Sequence, residues 1–204
     1  MGGGYSVAYT DGEDSIGHRR GARQARRRGQ HREPRARHAG PGHLLRAGPL
    51  DGGPTGVTLY RVGTVKPVEL SGEAKDKSGN PVTERVYVSV DGGMSDNIRP
   101  ALYGSDYTAR LANRKGSEQT KLCRVVGMHC ESGDIVVNEV RLPADIKRGD
   151  ILAVPVTGRI RPHDGQQLQP GADFPAVVGV GEAGAHVMIR RQTIDDLLSW
   201  DVSE

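Results

Sequence analysis

The sequence has few aromatic residues, few cysteines and no long apolar segment. Only 4% of its 204 residues are aromatic, and its two cysteines, Cys123 and Cys130, are separated by six residues. Two cysteines do not make a disulfide framework, and this spacing is unlike that of zinc ligands. No apolar run approaches the roughly 20 residues needed to cross a bilayer, and no hydrophobic signal region opens the chain. We therefore expect a cytoplasmic protein with one modest core, no metal site and no membrane contact.

Glycine and proline are abundant by contrast, and positive charge is concentrated in one segment. The chain has 29 glycines and 12 prolines, which is typical of a turn-rich protein. Residues 17–50 contain one acid, Glu33, and ten arginines: Arg19, Arg20, Arg23, Arg26, Arg27, Arg28, Arg32, Arg35, Arg37 and Arg46. Such a composition predicts a disordered segment or a basic arm that binds nucleic acid. Because no aromatic residues for base stacking lie between the arginines, we do not expect nucleic acid to be the partner.

Residues 54–204 change to short runs that are rich in valine and isoleucine. Each run is bounded by Gly, Pro, Asp or Asn, as strands usually are. The predicted strands cover residues 57–65, 85–90, 122–129, 134–142, 150–156, 176–180 and 186–190. A short helix is predicted after Thr193, with Asp196 completing a capping box. This pattern indicates a mainly β domain, an antiparallel sandwich or barrel.

Two motifs carry a resemblance to a known family. Residues 88–104 read Val-Ser-Val-Asp-Gly-Gly-Met-Ser-Asp-Asn-Ile-Arg-Pro-Ala-Leu-Tyr-Gly, and residues 129–134 read His-Cys-Glu-Ser-Gly-Asp. Together they resemble the signature and the active-site loop of the diaminopimelate decarboxylases. Gly2, Gly3 and Gly4 resemble the family's turn that holds the cofactor phosphate.

The resemblance implies a fold in which an N-terminal α/β barrel carrying pyridoxal 5'-phosphate is followed by a β domain. Residues 1–16 would then be a remnant of the barrel, residues 17–53 a disordered basic segment, and residues 54–204 the C-terminal β domain. The family's cofactor-bonding lysine belongs to a part of the barrel that this sequence lacks. We therefore expect the chain to be inactive alone.

The same resemblance implies the substrate meso-2,6-diaminopimelate, the product L-lysine and a place in lysine biosynthesis. Arg99 and Tyr103 are expected to bind the substrate's distal carboxylate, since a guanidinium group grips a carboxylate through two hydrogen bonds. Glu131 is expected to bind the distal ammonium group, and Cys130 to act in catalysis by proton transfer. The family acts as a homodimer in which the Cys-Glu loop reaches into the partner's active site.

Each of these residues has a plainer interpretation when it is taken alone. An Arg before Pro is usually solvated, and a tyrosine usually packs with its hydroxyl at the surface. A Cys-Glu pair before Ser-Gly-Asp is usually a turn into a strand, and glycines at a terminus are usually flexible. The joint order and spacing of the motifs favour the functional interpretation.

Two segments, residues 17–53 and 159–173, lack both an apolar pattern and the family elements that belong there. Those elements are a Glu-Pro-Gly-Arg loop and a tyrosine at the position of Ile160. Shifting the frame by one base over residues 45–54 permits a reading that contains Glu-Pro-Gly-Arg, and residues 163–172 also permit a family-like reading. We interpret both segments as out of frame, which predicts marginal stability for the domain.

Three functions stay open at this point. The chain fits a decarboxylase remnant, a basic protein that binds nucleic acid nonspecifically, or a β-domain dimerisation module that supplies its Cys-Glu loop to an intact enzyme. Ornithine and arginine decarboxylases share the family's fold and cysteine loop. Glu131 beside Cys130 favours diaminopimelate, because the distal end of that substrate carries both charges.

Overall fold

The structure, a computed structural model, describes residues 55–158, 175–199 and 201–202. The predictions for residues 1–16, 17–53 and 159–173 lie outside these ranges. Within them, no helix is long and apolar enough to cross a membrane. No cluster of His, Cys, Asp or Glu side chains in the same ranges is arranged to hold a metal ion.

Strands dominate the described residues. In chain order the elements are β1 (Val57–Glu69), β2 (Glu84–Val90), α1 (Arg99–Tyr103), β3 (Arg110–Leu111), β4 (Thr120–Val126), β5 (Ile135–Pro143), β6 (Ile151–Pro155), β7 (Val177–Gly181), β8 (Gly184–Ile189) and α2 (Ile194–Leu198). The prediction of a mainly β domain is confirmed.

Six of the strands form one sheet in the order β3-β6-β1-β2-β4-β5. Its two outer strands, β3 and β5, also contact each other, so the sheet is nearly closed into a barrel. The pairs β1–β2, β4–β5 and β3–β6 are antiparallel, as the sequence predicts. The pair β2–β4 is parallel, with Val86 opposite Cys123 and Ser89 opposite Val126, and this pairing departs from the antiparallel expectation.

The core lies on the inner face of this sheet and follows from the alternation of side chains along each strand. In β2, Val86, Val88 and Val90 are buried while the residues between them are partly exposed. The other buried apolar side chains are Tyr60, Val62, Tyr107, Ala109, Cys123, Val125, Val136, Val137, Leu142, Ile146, Leu152 and Val154. Valine has a high strand propensity because its branched side chain packs well on a pleated surface. The scarcity of aromatic residues is therefore offset by many small, well-packed side chains.

A charged cluster ties the connection between β3 and β4 to the turn before β6. Arg114 donates two hydrogen bonds to Asp150, from Nε to Oδ1 at 2.8 Å and from Nη2 to Oδ2 at 2.7 Å. It also donates from Nη1 to Asp145 Oδ2 at 2.6 Å. Asp150 is buried, and the Arg114 hydrogen bonds lower the pKa of its carboxyl from 3.8 to about 2.

The chain divides into two compact units. The described residues of the first are 55–57 and 155–158, in which Thr157 N donates to the Gly56 carbonyl oxygen at 3.1 Å. The second contains the bulk of the sheet, together with the β7–β8 hairpin and α2. Helix α2 begins with the predicted capping box, because Thr193 and Asp196 bond to each other's backbone N–H groups.

Candidate functional site

The parallel pairing of β2 with β4 brings the ends of two strands to one edge of the sheet. Neighbouring parallel strands point the same way, so the segments that follow Val90 and Val126 leave the sheet side by side. We call residues 91–98 loop A and residues 127–134 loop B. Loop A leads into α1, and loop B leads into β5. The two motifs of the sequence thus meet at this rim.

Backbone and carboxylate hydrogen bonds join the two loops. Met128 N in loop B donates to the Gly92 carbonyl oxygen in loop A at 3.0 Å. The buried Asp134 carboxylate accepts from Met94 N in loop A and from His129 N in loop B, each at 2.7 Å. One side chain therefore receives one backbone donor from each loop.

Two glycines allow this carboxylate to approach the backbone. A Cβ atom at Gly127 would lie 2.2 Å from Asp134 Oδ2, and one at Gly93 would lie 2.5 Å from Asp134 Oδ1. Real Cβ contacts do not occur at these distances, so any larger residue displaces the carboxylate or the loop. Gly93, the second glycine of the Gly-Gly pair in loop A, and Gly127, which opens loop B, have this steric role.

Side chains of the loops form two polar pairs. His129 Nε2 and Ser95 Oγ are 2.7 Å apart and buried, and this contact is a second side-chain link between loop B and loop A. Tyr60 of β1 donates its phenolic hydrogen to the Asp96 carboxylate, which also accepts from Gly93 N at 2.6 Å. Burial raises the pKa of Asp96. Burial and the neighbouring Asp96 raise the pKa of Tyr60 well above 10.0, so the phenol keeps its proton and stays a donor.

Helix α1 carries the first two candidate site residues. Pro100 occupies the first turn, where its missing N–H costs no intrahelical hydrogen bond. Gly104 ends the helix in the left-handed conformation at φ 60°, which favours glycine. The Arg99 guanidinium carbon lies 5.5 Å from the centroid of the Tyr103 ring, and the Tyr103 side chain is 66% exposed. The two side chains thus form one surface, cationic and hydroxyl-bearing.

Loop B carries the other two candidates. Cys130 and Glu131 are exposed, and the turn after them is closed by Asp134 N, which donates to the Glu131 carbonyl oxygen at 3.0 Å. Cys123 is buried in β4, and burial raises the pKa of its thiol. Cys130 is therefore the thiol that solvent and ligands reach.

Four of the predicted site residues lie in or directly after the two loops that leave this edge of the sheet. Arg99 and Tyr103 follow loop A, and Cys130 and Glu131 belong to loop B. The three glycines predicted to hold the cofactor phosphate, Gly2, Gly3 and Gly4, lie outside the described residues.

Sequence reasoning missed the residues that hold the rim together, namely Tyr60, Ser95, Asp96, His129 and Asp134. Four of the five lie within the two motifs. The available signal was the presence of polar residues beside glycines in both motifs, at the ends of predicted strands. That pattern does not identify the hydrogen-bond partner of any of these residues unless the parallel pairing of β2 with β4 is known.

The functional groups of the described residues suit the binding of a substrate better than the binding of a cofactor. The chain's lysines are Lys66, Lys75, Lys77, Lys115, Lys121 and Lys147, and none belongs to loop A, loop B or α1. The described part of the chain offers a guanidinium group, a phenol, a carboxylate and a thiol at the rim. A lysine and a phosphate cradle would come from elsewhere.

Comparison with known families gives a match over most of the chain. Residues 11–158 match the family model of the pyridoxal-dependent decarboxylase C-terminal sheet domain. This range covers the strands of the main sheet and both loops of the rim.

Similar curated proteins are named diaminopimelate decarboxylase. The one from Corynebacterium efficiens is 42% identical over 202 residues, 99% of this chain and 42% of that protein. The one from Bacillus subtilis is 40% identical over 150 residues, 74% of this chain and 31% of that protein. The chain thus spans less than half the length of these relatives.

Solved structures of the same name share the fold. The enzyme from M. jannaschi superposes with a TM-score of 0.74 at 20% identity, covering 97% of this chain and 41% of that one. The Helicobacter pylori enzyme, crystallised with L-lysine, has a TM-score of 0.71 at 22% identity, covering 96% of this chain and 42% of that one.

Proposed function

The chain belongs to the pyridoxal-dependent decarboxylases, and from that membership we propose that it is part of an enzyme that decarboxylates meso-2,6-diaminopimelate to L-lysine. The joining of loop A to loop B supports this proposal most directly. A cation and a phenol follow loop A, and a carboxylate and a thiol belong to loop B; these are the groups that a substrate with two amino-acid ends requires. The names of the relatives agree with this substrate.

In this proposal Arg99 and Tyr103 of one subunit bind the distal amino-acid end of the substrate together with Glu131 from loop B of the other subunit. The Arg99 guanidinium group lies over the Tyr103 ring, which limits its rotamers, and in this proposal it donates two hydrogen bonds to the distal carboxylate. The Tyr103 hydroxyl adds a donor to the same carboxylate. Glu131 supplies the negative charge for the distal ammonium group. A substrate whose distal end carries only one charge would leave either Arg99 and Tyr103 or Glu131 without a charged partner on the substrate.

Cys130 is the catalytic residue of the described part. Pyridoxal 5'-phosphate, the cofactor of the family, supplies an electron sink for the carbon that loses CO2. Decarboxylation breaks a C–C bond, releases CO2 and requires a proton at the same carbon. In this proposal the Cys130 thiol, which is exposed, carries that proton.

The cofactor and the second half of the site come from other parts of the assembly. Gly2, Gly3 and Gly4 are proposed to hold the cofactor phosphate through their backbone N–H groups. A homodimer in the cytoplasm, with loop B of one subunit entering the site of the other, would explain why loop B exposes its functional side chains. On this basis the chain lacks activity alone and contributes loop B in trans.

Mixing the full chain with an intact diaminopimelate decarboxylase tests the proposal. The intact enzyme carries alanines in place of its own Cys-Glu loop, and pyridoxal 5'-phosphate and meso-diaminopimelate are supplied. We expect no lysine from either protein alone and lysine from the mixture. A chain with Cys130→Ala and Glu131→Ala is the matched control and should restore nothing. Failure of the unmodified chain to restore lysine formation at saturating concentration would contradict the proposal.

A further inference from the structure

We propose that Ser95, His129 and Asp134 form a clip that fixes loop B against loop A, and that all three are positioning residues for the active site. The inference rests on the proposed function for its catalytic consequence. The clip itself rests on the hydrogen bonds of the described residues.

The contact between Ser95 and His129 is the side-chain half of the clip. Ser95 is fully buried, His129 is 8% exposed, and Oγ lies 2.7 Å from Nε2. Neither group reaches water freely, so each depends on the other for its hydrogen bond. A buried polar pair of this kind holds one arrangement, because any sliding of one loop leaves two unsatisfied groups.

The Asp134 carboxylate is the second half. It accepts Met94 N from loop A and His129 N from loop B, and its oxygens sit against the α-carbons of Gly93 and Gly127. The size of the carboxylate group therefore fixes the distance between the backbones of loop A and loop B. Movement of either loop breaks a charge-assisted hydrogen bond.

The clip lies beside the residues to which the proposed function assigns chemistry. Ser95 precedes Arg99 by four residues, and His129 directly precedes Cys130. Loss of the clip would change the position in which loop B holds Cys130 and Glu131 while leaving both side chains present. Misplacement by about 1 Å can reduce a rate by about 100-fold.

Amide hydrogen exchange on the full chain, followed residue by residue by NMR, tests the clip without any cofactor or partner. We expect Ser95→Ala in loop A to speed exchange at Met128 and His129 in loop B by about tenfold. His129→Ala in loop B should likewise speed exchange at Met94 in loop A. His129→Gln, whose amide nitrogen replaces Nε2, should restore protection, and Ser132→Ala on the exposed part of loop B should change nothing in loop A.

The same variants in the mixing assay test the positioning role. We expect Ser95→Ala and His129→Ala chains to lower turnover by about tenfold or more, with an unchanged chain concentration for half-maximal activity. His129→Gln should recover turnover. A merely structural defect would instead raise the half-maximal concentration.

The outcomes separate the two claims. Variants that loosen only their own loop would refute the clip. Normal turnover from Ser95→Ala and His129→Ala chains would refute the positioning role. Absence of lysine with the unmodified chain would overturn the proposed function, while the exchange result alone would still decide whether the clip exists.

Discussion

At Gly127 the backbone of loop B passes so close to the Asp134 carboxylate that no side chain fits. We predict that Gly127→Ala lowers the free energy of unfolding by about 2 kcal/mol, as overpacking of a buried site does. Gly133 lies in the same loop, but a Cβ atom there would have no neighbour within 4 Å, so Gly133→Ala should change stability by less than about 0.5 kcal/mol. Urea denaturation of both variants measures the difference. Equal losses of stability in the two variants would mean that the Asp134 carboxylate moves aside without a cost in free energy.

Asp150 is the second residue at which one substitution should be costly. Asp150→Asn replaces a buried anion that receives two Arg114 hydrogen bonds by a neutral amide, and we expect a loss of about 2 kcal/mol because hydrogen bonds to a charged group are stronger than those to a neutral one. Asp106→Asn is the control. Asp106 forms a surface ion pair with Lys77 at 2.8 Å, with both side chains about 40% exposed, and such pairs contribute less than about 1 kcal/mol. Chemical denaturation compares the two, and similar losses would contradict the burial argument.

At the scale of elements, α2 depends on its cap more than on burial. None of its residues is buried, so the capping box of Thr193 and Asp196 and the two hydrogen bonds from Arg190 to Asp196 support it. We predict that Thr193→Ala costs the helix about 1 kcal/mol and speeds exchange of the Leu197 amide about fivefold. Thr193→Ser keeps the hydroxyl and should leave that amide protected. Unchanged exchange in Thr193→Ala would show that another contact holds the helix.

The elements also show how far sequence patterns reach. Valine-rich runs bounded by turn residues predict β1, β2, β4, β5, β6, β7 and β8, because strand propensity and the flanking turn residues are local properties. The capping box of α2 is local as well. The five-residue helix α1 and the two-residue strand β3 are too short to leave a period, and Arg-Pro at the start of α1 resembles a loop.

The candidate site divides in the same way. The resemblance of two motifs selects Arg99, Tyr103, Cys130 and Glu131 without saying how the motifs meet. Their meeting depends on the parallel pairing of β2 with β4, which joins residues 37 positions apart, such as Val86 and Cys123. No local pattern encodes that pairing, so the roles of Ser95 and Asp134 were not predictable.

At the scale of the whole molecule, the Asp150 cluster predicts sensitivity to acid. The pKa of Asp150 is about 2 in the folded chain, and its ordinary value is 3.8. The carboxyl group therefore binds a proton more weakly in the folded state than in the unfolded state. Its contribution to stability is complete above about pH 4 and is lost as the pH falls toward 2. Asp145 acts in the same direction, since its pKa is also lowered, whereas the raised pKa of Asp96 acts in the opposite direction.

Comparison with Asp150→Asn isolates the contribution of this one carboxylate. The difference in unfolding free energy between the original chain and the variant should shrink as the pH falls from 5 to 2. Urea denaturation at several pH values measures it. A difference that stays constant over this range would show that Asp150 does not titrate with a lowered pKa.

The parallel pairing of β2 with β4 makes the rim of the site a late-forming part of the sheet. The β4–β5 hairpin closes over the eight residues of loop B, whereas joining β2 to β4 requires residues 91–119 to be arranged first. Longer closures cost more chain entropy and slow the contacts that depend on them. During refolding, amides shared by β4 and β5 should gain protection before those shared by β2 and β4, which pulse-labelled hydrogen exchange resolves. A chain interrupted midway would therefore hold an intact β4–β5 hairpin whose loop B has no loop A beside it.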